Sequence, residues 1–204
     1  MNKIVEISYL IGKEETVMYG TLPPPKLRAR SRMVECPEGF GETKIRWRFY
    51  NNTSFIEMCT HTGTHIDVPF HIYPNGLTVD SFDPVDFVFN HPVLIELPKG
   101  DLEKITKDDM MAHKDELEGS DLLLVYTGFS KYRKSDPDKY QKKQPGFSVE
   151  AAEYLVKNFP SLRAVGVDLM GIENILPYGL SSYTSGDTLS LFILFRPKTS
   201  PSMR

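Results

Sequence analysis

Apolar and polar residues alternate from the start of the chain. In KIVEISY, residues 3–9, Val5, Ile7 and Tyr9 fall on one side of an extended backbone, and the pattern predicts a strand. Residues 22–43 (LPPPKLRARSRMVECPEGFGET) are dense in proline, glycine and charge and are expected to form a long loop. Lys26, Arg28, Arg30 and Arg32 make a basic stripe there, expected at a solvated edge, with covering a substrate as the alternative role. Alternation returns in KIRWRFY, 44–50, with Ile45, Trp47 and Phe49 on one side, and TSFIEMC follows at 53–59. Asn51-Asn52 between them predicts a hairpin, because Asn tolerates the positive φ of tight turns. VLIEL at 93–97, LLLVY at 122–126 and AVGVD at 164–168 are short, continuous apolar runs, as expected of buried central strands.

Helical spacing emerges later. Thr106 to Asp109 (T-K-D-D) reads as a capping-box start, and the helix is expected to run to about Glu118, where Gly119 stops it. Ser148 is the expected cap of VEAAEYLVKN, with Val149, Ala152, Leu155 and Val156 as the apolar stripe and Pro160 as the stop. Residues 129–146 are highly charged and lack a persistent stripe, so they predict an exposed excursion. Strands first, then β-α-β-α-β, point to a mixed α/β fold.

The chain has 204 residues, 40% hydrophobic and 25% charged, which suits one globular domain spanning 1–204. The net charge of -3 gives no reason to expect nucleic acid as a partner. Cys36 and Cys59 are the two cysteines; they form no CxxC pair or disulfide framework, so a reducing compartment is expected. The longest apolar run, LSLFILF at 189–195, falls short of the roughly 20 residues that span a bilayer. These features predict a soluble, cytoplasmic protein with no membrane association.

The chemistry concentrates in HTGTHIDVPFH, residues 61–71. His61, His65, Asp67 and His71 all occupy odd positions, so a fully extended chain would present them on one face. The even positions Ile66, Val68, Phe70 and Ile72 are apolar and would anchor the opposite face. Gly63 is expected to bend the backbone and bring His61 back toward His65, while Gly63, Thr62, Thr64 and Pro69 argue against a helix. Imidazole nitrogens and a carboxylate suit zinc, manganese or iron, and three ligands leave a position open for water, the mark of a catalytic rather than a structural site. His61, His65 and Asp67 are therefore the candidate ligands. His71, hemmed by Pro69, Phe70 and Pro74, is the candidate proton carrier beside them. His91 and His113 are expected in a loop and on a solvated helix face. Tyr19, Trp47 and Phe49 are candidates for an aromatic substrate wall, with core packing as the alternative.

HTGTHIDVPFH resembles the H-x-G-T-H-x-D-x-P-x-H signature of the cyclase-like metal-dependent hydrolases, which include bacterial kynurenine formamidases. VEISYLIG, NGLTVDSF, VLIELPKGDLEKITKDDM, LLLVYTGFS, PGFSVEAAEYLV and AVGVDLM resemble other segments of that family in the same order, so the similarity covers about residues 3–173. The resemblance implies an α/β fold whose mixed sheet forms a β-barrel-like core flanked by helices, assembled as homodimers or homotetramers. It implies that His61, His65 and Asp67 bind a divalent metal, zinc or manganese, that His71 gives and takes the proton, and that the substrate is a small aryl formamide or cyclic amide. Two-metal members of the family use a later His and Glu for a second ion. No histidine follows His113 here, Glu173 lies five residues past Asp168, and the chain departs from the family pattern after about residue 175. That leaves one metal, a contribution from a neighbouring subunit, or an incomplete site.

Two other readings compete. A non-haem iron oxygenase would join His65 and Asp67 to a distant histidine, His91 or His113. A metal-binding relative with impaired catalysis would hold an ion without turnover.

Overall fold

The computed structural model describes residues 8, 11, 22–40 and 45–173 of the chain. The strand expected at 3–9, Tyr19 and the apolar run at 189–195 lie outside the described residues, as does the side chain of Trp47. The chain divides into two units, Met1–His65 and Ile66–Arg204.

The first unit is an antiparallel ribbon. Strand β1, Lys26–Phe40, pairs with β2, Ile45–Glu57, in a register that sets Lys26 opposite Glu57 and Cys36 opposite Trp47. The expected loop at 22–43 is thus mostly a strand. Its alternation (Leu27, Ala29, Ser31 and Met33 against Lys26, Arg28, Arg30 and Arg32) was hidden by the prolines before it and by the Pro37-Glu38-Gly39 irregularity between Cys36 and Phe40. The hairpin expected at Asn51-Asn52 is not formed. Both asparagines sit inside β2, opposite Arg32 and Ser31, because β1 supplies their partners. Phe49 lies on this ribbon and is 51% exposed, so it is not a core residue.

The second unit is built on a parallel sheet of order β3-β5-β7: Pro92–Glu96, Leu122–Tyr126 and Ala164–Val167, close to the three runs expected as buried central strands. Among the described residues only β5 is central, and Leu94 on β3 is 57% exposed, so that expectation is corrected for the outer two. Two-residue strands β4 (Lys104–Ile105) and β6 (Gly146–Phe147) form a second parallel pair. No closed barrel is present among the described residues. Parallel neighbours need long crossovers, and the helices lie in them. Helix α1, Lys107–Ala112, starts where expected. The Thr106 hydroxyl accepts from the Asp109 N–H, and the Asp109 carboxylate accepts from the Thr106 N–H at 2.7 Å and from Lys99 Nζ at 2.8 Å. Burial pushes the Asp109 carboxyl up, but the hydrogen bonds from Lys99 and Thr106 and the charge of Lys99 outweigh it and hold it below the usual carboxylate range. The helix breaks at His113 and resumes as α2, Lys114–Leu117; Gly119, at φ 71°, closes it.

Residues 129–146 are not simply an exposed excursion. They fold into a 3-10 turn (Phe129–Lys131), α3 (Tyr132–Ser135) and α4 (Pro137–Lys142). Phe129, Arg133, Tyr140 and Gln144 are buried. The buried positions are spread over separate short pieces, so no single periodic stripe marked them. Helix α5, Val149–Asn158, is capped by Ser148 as expected and buries Ala151, Ala152 and Leu155. Those residues join Ile95, Ile105, Met110, Leu117, Leu123 and Val125 in the main core.

A second, smaller cluster positions the chemistry. Phe82 and Ala164 are its buried members, and Val68 packs against them with Phe87 and Phe89. Arg163 reinforces it by donating to the Asp86 and Val88 carbonyls at 2.7 and 2.9 Å.

Candidate metal centre

The chain leaves the ribbon through a tight turn. The Thr62 N–H donates to the Cys59 carbonyl at 3.1 Å, and Thr62 is buried. Gly63 follows at φ 75°, a left-handed conformation that costs a residue with a Cβ roughly 1–2 kcal/mol. This is the bend expected from the sequence, and it folds His65 back. His65 Nδ1 lies 2.9 Å from the Gly63 carbonyl, which can only accept, so the Nδ1–H is the donor of that bond. His65 Nε2 in turn lies 2.9 Å from His61 Nδ1, with the rings 5.0 Å apart and edge to face.

Asp67 completes the group. One ligand atom from each of His61, His65 and Asp67 falls within 4.8 Å of the others. His61 is half-buried, while His65 and Asp67 are exposed. The donor set fits a divalent ion of the zinc or manganese type. At metal–ligand distances of about 2.0–2.2 Å, tetrahedral ligands stand about 3.4 Å apart. An ion held there would need the His61–His65 contact of 2.9 Å to widen. The Gly63 carbonyl is the kind of outer partner that fixes a ligand histidine's tautomer.

His71 is placed differently. The extended phase ends at Val68 (φ -107°, ψ 166°), and Pro69–His71 form a 3-10 turn. Proline at the first position of that turn has the φ it needs and no N–H to waste. His71 is exposed and is not a member of the three-residue group. The expected single phase over 61–71 is thereby corrected: residues 61–64 bend through Gly63 and Pro69–His71 form a 3-10 turn, so no strand alternation runs through the segment. The even face is corrected as well. Val68 packs into the smaller cluster and Ile72 is half-buried, but Ile66 and Phe70 are exposed.

The distant histidines stay apart from this group. His91 is exposed, and its N–H donates to Asp121 at 2.9 Å. His113, at the break between α1 and α2, is half-buried rather than fully solvated, with Nδ1 2.7 Å from Glu116. Two residues were not singled out as organisers from the sequence. The Asp168 carboxylate accepts from the N–H groups of Thr127 and Ser130 and from the Thr127 hydroxyl at 2.7–3.1 Å, tying the end of β5 to the end of β7. Gln144, fully buried, donates to the Gly171 and Glu173 carbonyls and accepts from the Met170 N–H. Burial raises the pKa of the Glu173 carboxyl.

The family described as "Putative cyclase" matches residues 5–174, unbroken through both units. The chain belongs to the cyclase family. Among its relatives, an uncharacterised protein of Haemophilus influenzae is 36% identical over 116 residues, 56% of this chain and 82% of that one. The kynurenine formamidase of Geobacillus thermodenitrificans is 33% identical over 123 residues, 60% of this chain and 53% of the relative. Cyclase-like protein 2 of Arabidopsis thaliana is 26% identical over 145 residues, 68% of this chain and 52% of the relative. This cyclase-family chain thus spans about half the length of the curated formamidase and cyclase-like relatives.

Solved structures agree. One described as a "predicted metal-dependent hydrolase from Bacillus stearothermophilus" superimposes with a TM-score of 0.58 at 28% identity, covering 91% of this chain and 78% of its own. Another, a "potential metal-dependent hydrolase with cyclase activity", gives 0.51 at 28% identity, covering 79% and 77%.

Proposed function

We propose that this cyclase-family protein is a metal-dependent amidohydrolase that cleaves a small aryl formamide of N-formylkynurenine type or a cyclic amide. The observation that carries the reading is the convergence of two imidazoles and one carboxylate on residues 61–67. The kynurenine formamidases among its relatives and the metal-dependent hydrolases among its structural neighbours support it. A divalent ion bound there, zinc in the first place and manganese as the alternative, supplies water of lowered pKa and polarises the substrate carbonyl.

The remaining work falls to the chain. The Gly63 carbonyl takes the hydrogen bond from His65 Nδ1, so Nε2 would be the nitrogen that holds the ion. His71 takes a proton from the attacking water and returns it to the departing nitrogen as the C–N bond breaks, leaving a carboxylate and an amine. The exposure of His65 and Asp67 leaves room for a substrate carbonyl on the ligand side. By the same reading the protein works as a homodimer or homotetramer, which sedimentation of the full chain tests.

Elemental analysis of the purified protein comes first, followed by a panel of N-formyl arylamines, lactams and cyclic imides with zinc or manganese restored. The expected result is release of formate or ring-opened acid, lost on chelation and regained with metal. About one ion per chain with no turnover of any panel member overturns the hydrolase reading in favour of a metal-binding role. Iron-dependent oxygen uptake overturns it in favour of an oxygenase built on the same two-histidine, one-carboxylate set.

A further inference from the structure

We propose that Gly76 is a positioning residue for His71: the bare Cα of Gly76 lets the 69–77 turn close on the Pro69–Phe70 peptide, and that closure sets the backbone that carries His71. The catalytic consequence rests on the hydrolase reading above; the geometric claim does not.

Five main-chain hydrogen bonds shape the turn. The His71 N–H donates to the Val68 carbonyl at 2.9 Å, and Ile72 and Tyr73 donate to the Pro69 carbonyl at 3.2 and 2.9 Å. The Gly76 N–H donates to Tyr73 at 2.8 Å, and the Phe70 N–H reaches across to the Leu77 carbonyl at 3.1 Å. Val68, at the entrance, is held in the cluster with Phe82 and Ala164. The returning strand of the turn passes so close that a Cβ on residue 76 would lie 2.5 Å from the Pro69 carbonyl carbon, 2.7 Å from the Pro69 oxygen and 2.7 Å from the Phe70 nitrogen. All three atoms are main chain, so no side chain can swing away to relieve the contact. Ordinary contact begins at 3.4 Å, and 3.4 minus 2.5 leaves 0.9 Å that the Pro69–Phe70 peptide or residue 76 has to move. His71 is the next residue after Phe70. A misplacement of about 1 Å at a proton-transferring group costs up to about 10²-fold in rate, while the ligands at 61–67 lie before the Val68 anchor and are spared.

The test uses the full chain with ¹⁵N-labelled histidine. In Gly76→Ala the His71 ring resonances should move while those of His91 and His113 stay in place; unmoved His71 resonances overturn the proposal. Amide exchange on the wild-type protein decides the case in which the variant does not fold. The Phe70 and Gly76 amides should be protected, and free exchange at Phe70 overturns the closure. In the metal-restored protein, Gly76→Ala should lower kcat about 10- to 100-fold with KM and metal content unchanged. The double variant Gly76→Ala/His71→Ala should then be no slower than His71→Ala alone; losses that simply multiply mean that Gly76 does not act through His71 and overturn the proposal. A wild-type protein without turnover sinks the hydrolase reading, and the ring and exchange readouts still decide the role of Gly76.

Discussion

The ligand stretch, residues 61–67, and the turn that follows, residues 69–77, are built by different means. The first is organised by side chains: His61 against His65, and His65 against the Gly63 carbonyl, with two of the three candidate ligands exposed. The second is organised by main chain, with five backbone hydrogen bonds and a peptide-to-glycine contact. The difference teaches a division of labour. On the proposed function, ligands that would have to part and re-form around an ion are left adjustable, whereas the proposed carrier of the proton is mounted on a turn held by main-chain bonds. Each region should therefore fail in its own way.

Four changes probe that separation, from the largest effect to the smallest. His65→Ala removes a candidate ligand outright. Outer partners of ligands are already worth about 10- to 100-fold in affinity, so metal affinity should fall by more than that and turnover with it, as read by chelator competition and a rate assay. His71→Ala should leave the metal in place and lower kcat by about 10²- to 10⁴-fold. Loss of the ion in that variant would merge the two regions into one ligand set. Gly63→Ala places a Cβ 3.1 Å from Ile11 Cγ1 in a left-handed backbone, so it shifts the carbonyl that holds His65. Metal affinity should drop by about 10- to 100-fold, with the protein still folded.

Thr106→Ala is the control, on a helix that serves the core rather than the site. It should cost about 1 kcal/mol in a denaturation curve and leave metal affinity unchanged. The same capping box is sensitive to acid. Because the folded-state pKa of Asp109 is lowered, its contribution is complete above the unfolded carboxyl value of about 3.9. That contribution fades as pH falls through the lower folded value, and Asp109→Asn should remove this part of the acid dependence.

How legible the molecule was follows from what each element depends on. The three sheet strands and α5 were readable because short apolar runs mark the strands, though Leu94 and Tyr126 on them are exposed, and a capped helix writes Ser148 before an apolar stripe. The convergence of His61, His65 and Asp67 was readable because they are close in sequence and Gly63 supplies the bend. Strand β1 was not, since its prolines and arginines speak locally for a loop and only pairing with β2 makes it a strand. Residues 129–146 were misread because Phe129, Tyr140 and Gln144 reach the interior from different short elements. The placement of His71 escaped for a third reason: Gly63 and Pro69 both break the extended phase, and the turn beyond Pro69 carries main-chain bonds that an alternation pattern does not encode.

The central claim is that residues 61–67 hold a single catalytic ion through two imidazoles and one carboxylate. X-ray absorption of the metal-restored protein tests it most directly. The account predicts two histidine nitrogens and a carboxylate oxygen at about 2.0–2.2 Å with at least one water-like oxygen beside them. A sulfur neighbour at about 2.3 Å, which the free thiol of Cys59 could supply, or a shell with no imidazole signature, would contradict it.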